Sequence, residues 1–126
     1  MGSRLGKLKS RPQFLNVSRS RQKFVASSLI LQTRAHGDLE LSDETVEPIR
    51  VGYTVSRKVG KAVVRNRIKR RLRAAVEEVL PVHAAGDRDF VLIGRRSAYA
   101  KPFPAIVADL KRALQGVDAY RERTES

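Results

Sequence analysis

The 126-residue sequence contains no Cys and no Trp, and it has only two His and one Met. Without thiols it can form no disulfide framework, thiolate nucleophile or thiolate metal site, a composition that agrees with a reducing cytoplasmic location. His36 and His83 stand far apart with no helix-spaced ligand partner, so both are expected to be packing or surface residues, and no metal site is expected. No apolar run exceeds that of residues 90–93, far short of the roughly 20 residues a membrane helix needs, and no secretory signal is recognisable. Acids are the other shortage: 13 Asp plus Glu face 26 Lys plus Arg, a formal charge of +13. The length suits one small domain, and 41% hydrophobic residues allow it a core. So positive a surface calls for an anionic partner, either nucleic acid or anionic lipid.

The imbalance is local. Residues 1–37 hold eight bases and no acid, residues 38–49 five acids and no base, and residues 50–76 ten bases and no acid, while the rest of the chain is balanced. The acidic interval 38–47, between Gly37 and Pro48, reads as a solvated loop that a polyanion would repel. Pro12 can open a short amphipathic helix reaching about Lys23. Residues 29–33 read as a strand, and residues 50–56 alternate as a half-buried strand with Val51, Tyr53 and Val55 on one face. A long helix is expected over residues 61–80, stopped by Pro81. A buried strand follows at 90–93 and an amphipathic helix at 103–114, with Ile106, Leu110 and Leu114 on one face. The order is αββαβα, an α+β domain over residues 1–116, followed by a polar, frayed tail over 117–126.

At about 100° per residue, Val64, Ile68, Leu72, Ala75 and Val79 share one narrow arc of the long helix. The wider remainder carries Arg65, Asn66, Arg67, Lys69, Arg70, Arg71 and Arg73. A solvated helix laced with ion pairs would need acids three or four positions away, and none lies between Pro48 and Val76. The cations therefore repel one another until a polyanion lies across them, which points to phosphate. Arginine suits bidentate phosphate contacts and stacking, and Asn66 could meet a base edge or a 2′-hydroxyl. A phosphate-loop reading of Gly60-Lys61 fails, because Val55 and Ala62 stand where that motif needs Gly and Ser or Thr. Asp87 and Asp89, beside a turn, read as loop or strand-entry residues and not as an acid–base pair, so no catalytic residue is expected. A general RNA- or DNA-binding module fits the same charge, whereas a lipid-binding helix would need the Trp or Phe that the apolar arc lacks.

The stretch from Val51-Gly52-Tyr53 through Arg57-Lys58 and Lys61-Ala62 to Arg65-Asn66-Arg67-Ile68-Lys69-Arg70-Arg71-Leu72-Arg73 resembles the signature of the bacterial ribonuclease P protein subunits. The likeness continues more weakly through the basic, aromatic segment 11–14, the strand 90–93 running into Arg95 and Arg96, and the closing helix. It implies a ribosomal S5 domain 2-like fold with a left-handed βαβ crossover around the Arg-Asn-Arg helix, where the general handedness rule would give the opposite. It also implies binding to a large catalytic RNA and to the single-stranded 5′ leader of precursor tRNA. The RNA would then release the mature 5′ end with its own Mg²⁺, and the protein, free of membrane and monomeric alone, would assist.

By the same resemblance Arg57, Lys58, Lys61, Arg65, Asn66, Arg67, Lys69, Arg70 and Arg73 would contact RNA, with Ile68 and Leu72 holding their helix on the sheet. Phe14 would stack in the leader cleft or serve as a core residue. One helical turn later Ser18 replaces a customary second aromatic, which leaves either weaker stacking or a contribution from Tyr53.

Overall fold

The alternating residues around Tyr53 do form a strand, and a sheet is built outward from it. The computed structural model describes residues 5–122. Its elements are β1 Leu5–Lys7, α1 Arg11–Arg19, β2 Gln22–Val25, β3 Leu29–Ala35, α2 Asp38–Leu41, β4 Ile49–Thr54, α3 Ala62–His83, β5 Arg88–Gly94 and α4 Phe103–Gly116. Short 3₁₀ turns at Arg57–Val59 and Arg96–Tyr99 precede the two long helices. The five strands form one mixed sheet in the order β1-β4-β5-β3-β2. β1, β4 and β5 run parallel, and β3 and β2 are antiparallel to their neighbours. α3 is the crossover that joins the adjacent parallel strands β4 and β5.

The two faces of the sheet bury different helices. Leu29 and Leu31 of β3, Ile49 and Val51 of β4, and Phe90 and Leu92 of β5 pack with α3 and α4 in the main core. The opposite face carries α1 through a smaller cluster of Leu8, Val17 and Val91. α3 sits close to the sheet because Gly94 has no side chain: a Cβ there would fall 2.6 Å from Cγ2 of Ile68. Ile68 and Leu72 are fully buried, as their arc on the helix requires.

The six expected elements are present in the expected order, with corrections. The first helix ends at Arg19 instead of near Lys23. Arg21 turns the chain with φ 62°, Ser20 Oγ lies 2.7 and 2.6 Å from the carbonyl oxygens of Val17 and Thr33 and donates its one proton between them, and residues 22–25 pair with β3 as an edge strand. β1 is three residues long, too short to show a period. Pro81 does not stop α3 at once: the helix runs on through Val82 to end at His83, so the missing amide and the ring's clash with the preceding turn fall on its final turn. The acidic interval is not all solvated loop, since it folds into α2 and directs Glu40 inward. The chain after α4 is not frayed at once either. Val117 and Ala119 are buried, Tyr120 bridges to Ala84, and its ring stacks on His83 with centroids 4.8 Å apart. Among the described residues no helix is long and apolar enough to cross a membrane.

Candidate nucleic-acid interface

β4 ends at Thr54, and its last residues feed a turn capped by Ser56, whose Oγ accepts from the Lys58 amide at 3.1 Å. The turn delivers the chain to Lys61, the N-cap of α3, whose first turn carries no acid. Arg57, Lys58, Lys61, Lys69 and Arg70 make no side-chain hydrogen bond or ion pair among the described residues. All but Lys69 are exposed, as is Asn66.

The other cations of the stretch are partly spent within the fold. Arg65 Nε donates to the Gly60 carbonyl at 3.1 Å. Arg67 Nε donates to the Tyr99 carbonyl at 2.9 Å, and the guanidinium lies 4.9 Å from the Tyr99 ring centroid. Arg71 Nη1 donates to the Ala98 carbonyl at 2.7 Å. Arg67 and Arg71 fasten the second 3₁₀ turn against α3, and that turn brings Arg96 onto the same flank. Arg96 Nη1 in turn donates to the Val59 carbonyl at 2.5 Å, linking the two turns. Arg95 and Arg96 were not among the expected contact residues. Their only sequence signal is a pair of bases after a buried strand, and only the folded chain divides them: Arg96 reaches the first 3₁₀ turn, while Arg95 Nη1 donates to the Ala26 carbonyl at 2.9 Å.

On the face of the sheet opposite α3 lies a cleft of about 540 Å³ between α1 and the strands. Lys9, Arg11, Phe14 and Ser18 form its helical wall, and Gln32, Val91 and Ile93 form its floor. β1 covers β4 only as far as Val51, so the edge of β4 is open from Gly52 onward, and a second hollow of about 380 Å³ continues around it to Lys69 and Arg73. Phe14 and Tyr53 line both hollows. They come from opposite faces of the sheet. Phe14 lies over Gly52, where a Cβ would stand 2.5 Å from its ring carbons, so the ring is half-buried there while it still lines the cleft. The two readings of Phe14, stacking surface and core residue, are therefore compatible. Tyr53 packs against the main core on the α3 side, with the Arg73 guanidinium 5.4 Å from its ring centroid. Burial pushes the Tyr53 hydroxyl pKa well up, so it remains a neutral donor. Arg11, of the basic, aromatic segment, lines the first hollow, and Lys7, Lys9 and Gln32 line these hollows without having been singled out from sequence, since their positions carry no motif.

One acid of the interval 38–47, Glu40, joins Asp89 in an ionic cluster at the other end of the α1 face. Asp89 is fully buried and accepts from Arg34 Nη1 at 2.8 Å and from Arg50 Nε and Nη2 at 2.8 and 2.9 Å, with His36 Nε2 also 2.8 Å away. Glu40 accepts from both arginines and from the Gly37 amide. His36, Glu40 and Asp89 are close enough to share a metal ion, but Arg34 and Arg50 already occupy the carboxylates and would repel one. Asp89 is a strand-entry residue, as expected, and also the centre of this cluster. Arg34 and Arg50 are thereby removed from the charge offered to a partner.

The hydrogen bond from Arg34 holds the Glu40 carboxyl down to about 2, against an ordinary 4.5. A depressed carboxylate contributes stability that is complete above the ordinary value and lost as pH falls through the depressed one. The unfolding free energy should therefore drop between pH 4.5 and 2 more steeply in the native protein than in Glu40→Gln. Equal slopes in urea unfolding across that range would show that the cluster does not hold in solution.

Fold and surface together define a small basic α+β domain that presents a polyanion-seeking helix beside an aromatic-lined cleft. A sequence model of the family described as Ribonuclease P matches residues 3–118. The ribonuclease P protein component of Paramagnetospirillum magneticum is 43% identical over 122 residues, covering 97% of this chain and 90% of the relative. That of Ruegeria pomeroyi is 45% identical over 113 residues, covering 89% and 86%. The chain thus belongs to the ribonuclease P protein family, the protein subunits of an endoribonuclease ribonucleoprotein. Solved structures agree on the fold. The Staphylococcus aureus RNase P protein superimposes with a TM-score of 0.70 at 22% identity, covering 91% of this chain and 97% of that one. The Thermotoga maritima protein gives 0.66 at 24% identity, covering 82% and 90%.

Proposed function

We propose that this protein binds the catalytic RNA of ribonuclease P along the first half of α3 and its two flanking turns, and holds the 5′ leader of precursor tRNA in the cleft between α1 and the sheet. The observation that carries this reading is continuity: a hollow around the open edge of β4 joins Lys69 and Arg73 of the cationic helix to a cleft whose rim is cationic and whose wall offers an aromatic ring. A single strand needs that combination, with bases stacked on the ring and phosphates at the charges. Cleavage of the phosphodiester, and the Mg²⁺ it uses, belong to the RNA. The protein supplies binding and charge neutralisation, and its net charge keeps copies apart in the absence of RNA.

The test is cleavage of precursor tRNA by a bacterial catalytic RNA at low Mg²⁺, with and without this protein. Stimulation is expected, and its absence would return the protein to a general nucleic-acid-binding role. Phe14→Ala should reduce the preference for precursor over mature tRNA by about 5- to 150-fold, the worth of one stacked base. Equal loss of affinity for both RNAs would remove Phe14 from the leader site.

A further inference from the structure

Two exposed apolar side chains stand inside the cationic stripe, where a partner that offered only phosphates would leave them bare to water. They are Val63, 77% exposed, and Tyr99, 39% exposed, and both flank Arg67. Val63 lies one helical turn before Arg67 on the same face of α3. Tyr99 closes the second 3₁₀ turn, and the Arg67 guanidinium lies over its ring, 4.9 Å from the centroid. The core has no use for that ring: Tyr53 and Tyr120 pack against the main cluster, and Tyr99 does not. Its backbone is nevertheless held from two directions. On the α3 side the Tyr99 carbonyl accepts from Arg67 Nε at 2.9 Å and from Arg71 Nη1 at 3.3 Å. On the other side Ser97 Oγ donates to the Ser27 carbonyl at 2.7 Å, and the adjoining Ser28 is fixed by the buried Asp109 of α4, which accepts from both its amide and its hydroxyl. An aromatic ring presented from so fixed a backbone loses little freedom when something stacks on it.

We infer that Tyr99 and Arg67 form a stacking platform for one unpaired base of the catalytic RNA, in addition to the phosphate contacts made by the cations around them. The inference rests on the reading that the catalytic RNA lies along the first half of α3. Bases splayed out of an RNA helix stack on aromatic rings and on guanidinium planes, and this site offers both, already in contact with each other. Lys61 and Arg70, exposed on the turns of α3 before and after Arg67, are placed for the phosphates of the same strand. A fully paired RNA helix keeps its bases inside and would leave Tyr99 and Val63 without a partner. The leader is not the occupant, because its cleft opens on the face of the sheet opposite α3.

The experiment measures binding of the full chain to a bacterial catalytic RNA by filter binding over a salt series. Tyr99→Ala should bind about 5- to 150-fold more weakly than the native protein, the worth of one stacked base. The factor should be the same at every salt concentration, because stacking releases no counterions and leaves the log-log slope unchanged. Tyr99→Phe, which keeps the ring, should stay within about twofold of native binding. Both variants retain the carbonyl that Arg67 and Arg71 use, so their urea midpoints should match the native one. Unchanged affinity in Tyr99→Ala, an equal loss in Tyr99→Phe, or a loss that comes with a flattened slope would each overturn the inference. The chain has no Trp, so Tyr99→Trp introduces a single indole and keeps an aromatic surface in place. Its emission should be quenched by the catalytic RNA and not by a plain RNA duplex, which offers phosphates without unpaired bases. No quenching by the catalytic RNA, or equal quenching by the duplex, would also overturn it. The preference for precursor over mature tRNA separates the two sites: Tyr99→Ala should keep it, and losing it while binding the catalytic RNA normally would assign the platform to the leader instead. A native protein that neither binds nor stimulates the catalytic RNA would sink the underlying reading; one that does both, with Tyr99→Ala indistinguishable from it, would sink this inference alone.

Discussion

Replacing Asp89 by Ala is expected to lower the unfolding free energy by about 3 kcal/mol, the lower end of the loss when one partner of a buried ion pair is removed. Asp89 is fully buried, and the side chains of Arg34 and Arg50 are 19% and 12% exposed, so the cations left behind cannot simply rehydrate. The loss stays at the lower end because Glu40 still accepts from both arginines. A domain of this size has a total stability of roughly 5–15 kcal/mol, so the variant should unfold at a markedly lower urea concentration. Asp89→Asn, which keeps the shape and one acceptor, should fall between the two. A loss under about 1 kcal/mol for the alanine variant would mean that the arginines find other partners, and that the cluster is incidental to the fold.

The second large effect concerns charge. Lys58, Lys61 and Arg70 are exposed and make no side-chain hydrogen bond or ion pair among the described residues, so changing all three to Gln removes cations without breaking internal contacts. If each meets a phosphate, the slope of log affinity for the catalytic RNA against log salt should flatten by about 2 to 3, and affinity at about 0.1 M salt should fall roughly a hundredfold or more. Filter binding over a salt series measures both. An unchanged slope would place the RNA elsewhere on the surface. Arg67 and Arg71 are poorer probes, because they fasten the second 3₁₀ turn through the carbonyls of Ala98 and Tyr99, and their removal mixes lost charge with lost structure.

Much of the fold was legible in the residues because its main elements are long and strongly patterned. The alternation around Tyr53, the arc of Ile68 and Leu72, and the spacing of Ile106, Leu110 and Leu114 each follow one period for enough residues to be read. β1 and β2 were not legible. The one is three residues long, and the other, Gln-Lys-Phe-Val at the sheet edge, continues the pattern of the helix before it until the positive φ of Arg21 breaks it. The cationic stripe was legible because a charge run without acids has few physical explanations. Its division into free cations and fasteners was not, since that depends on which carbonyls of residues 98 and 99 come within reach.

By itself the sequence determined the anionic partner, the order of the main elements and the segment that carries the charge, all of which depend on composition and local period. Tertiary structure decided everything that joins residues distant along the chain. It drew Glu40 and Asp89 onto Arg34 and Arg50, seated Phe14 over Gly52, set Arg96 beside α3, and turned Gln32 to the floor of a cleft. Those relations depend on strand register and on close approach between elements, and a contact between side chains of different elements leaves no period in the chain that makes it.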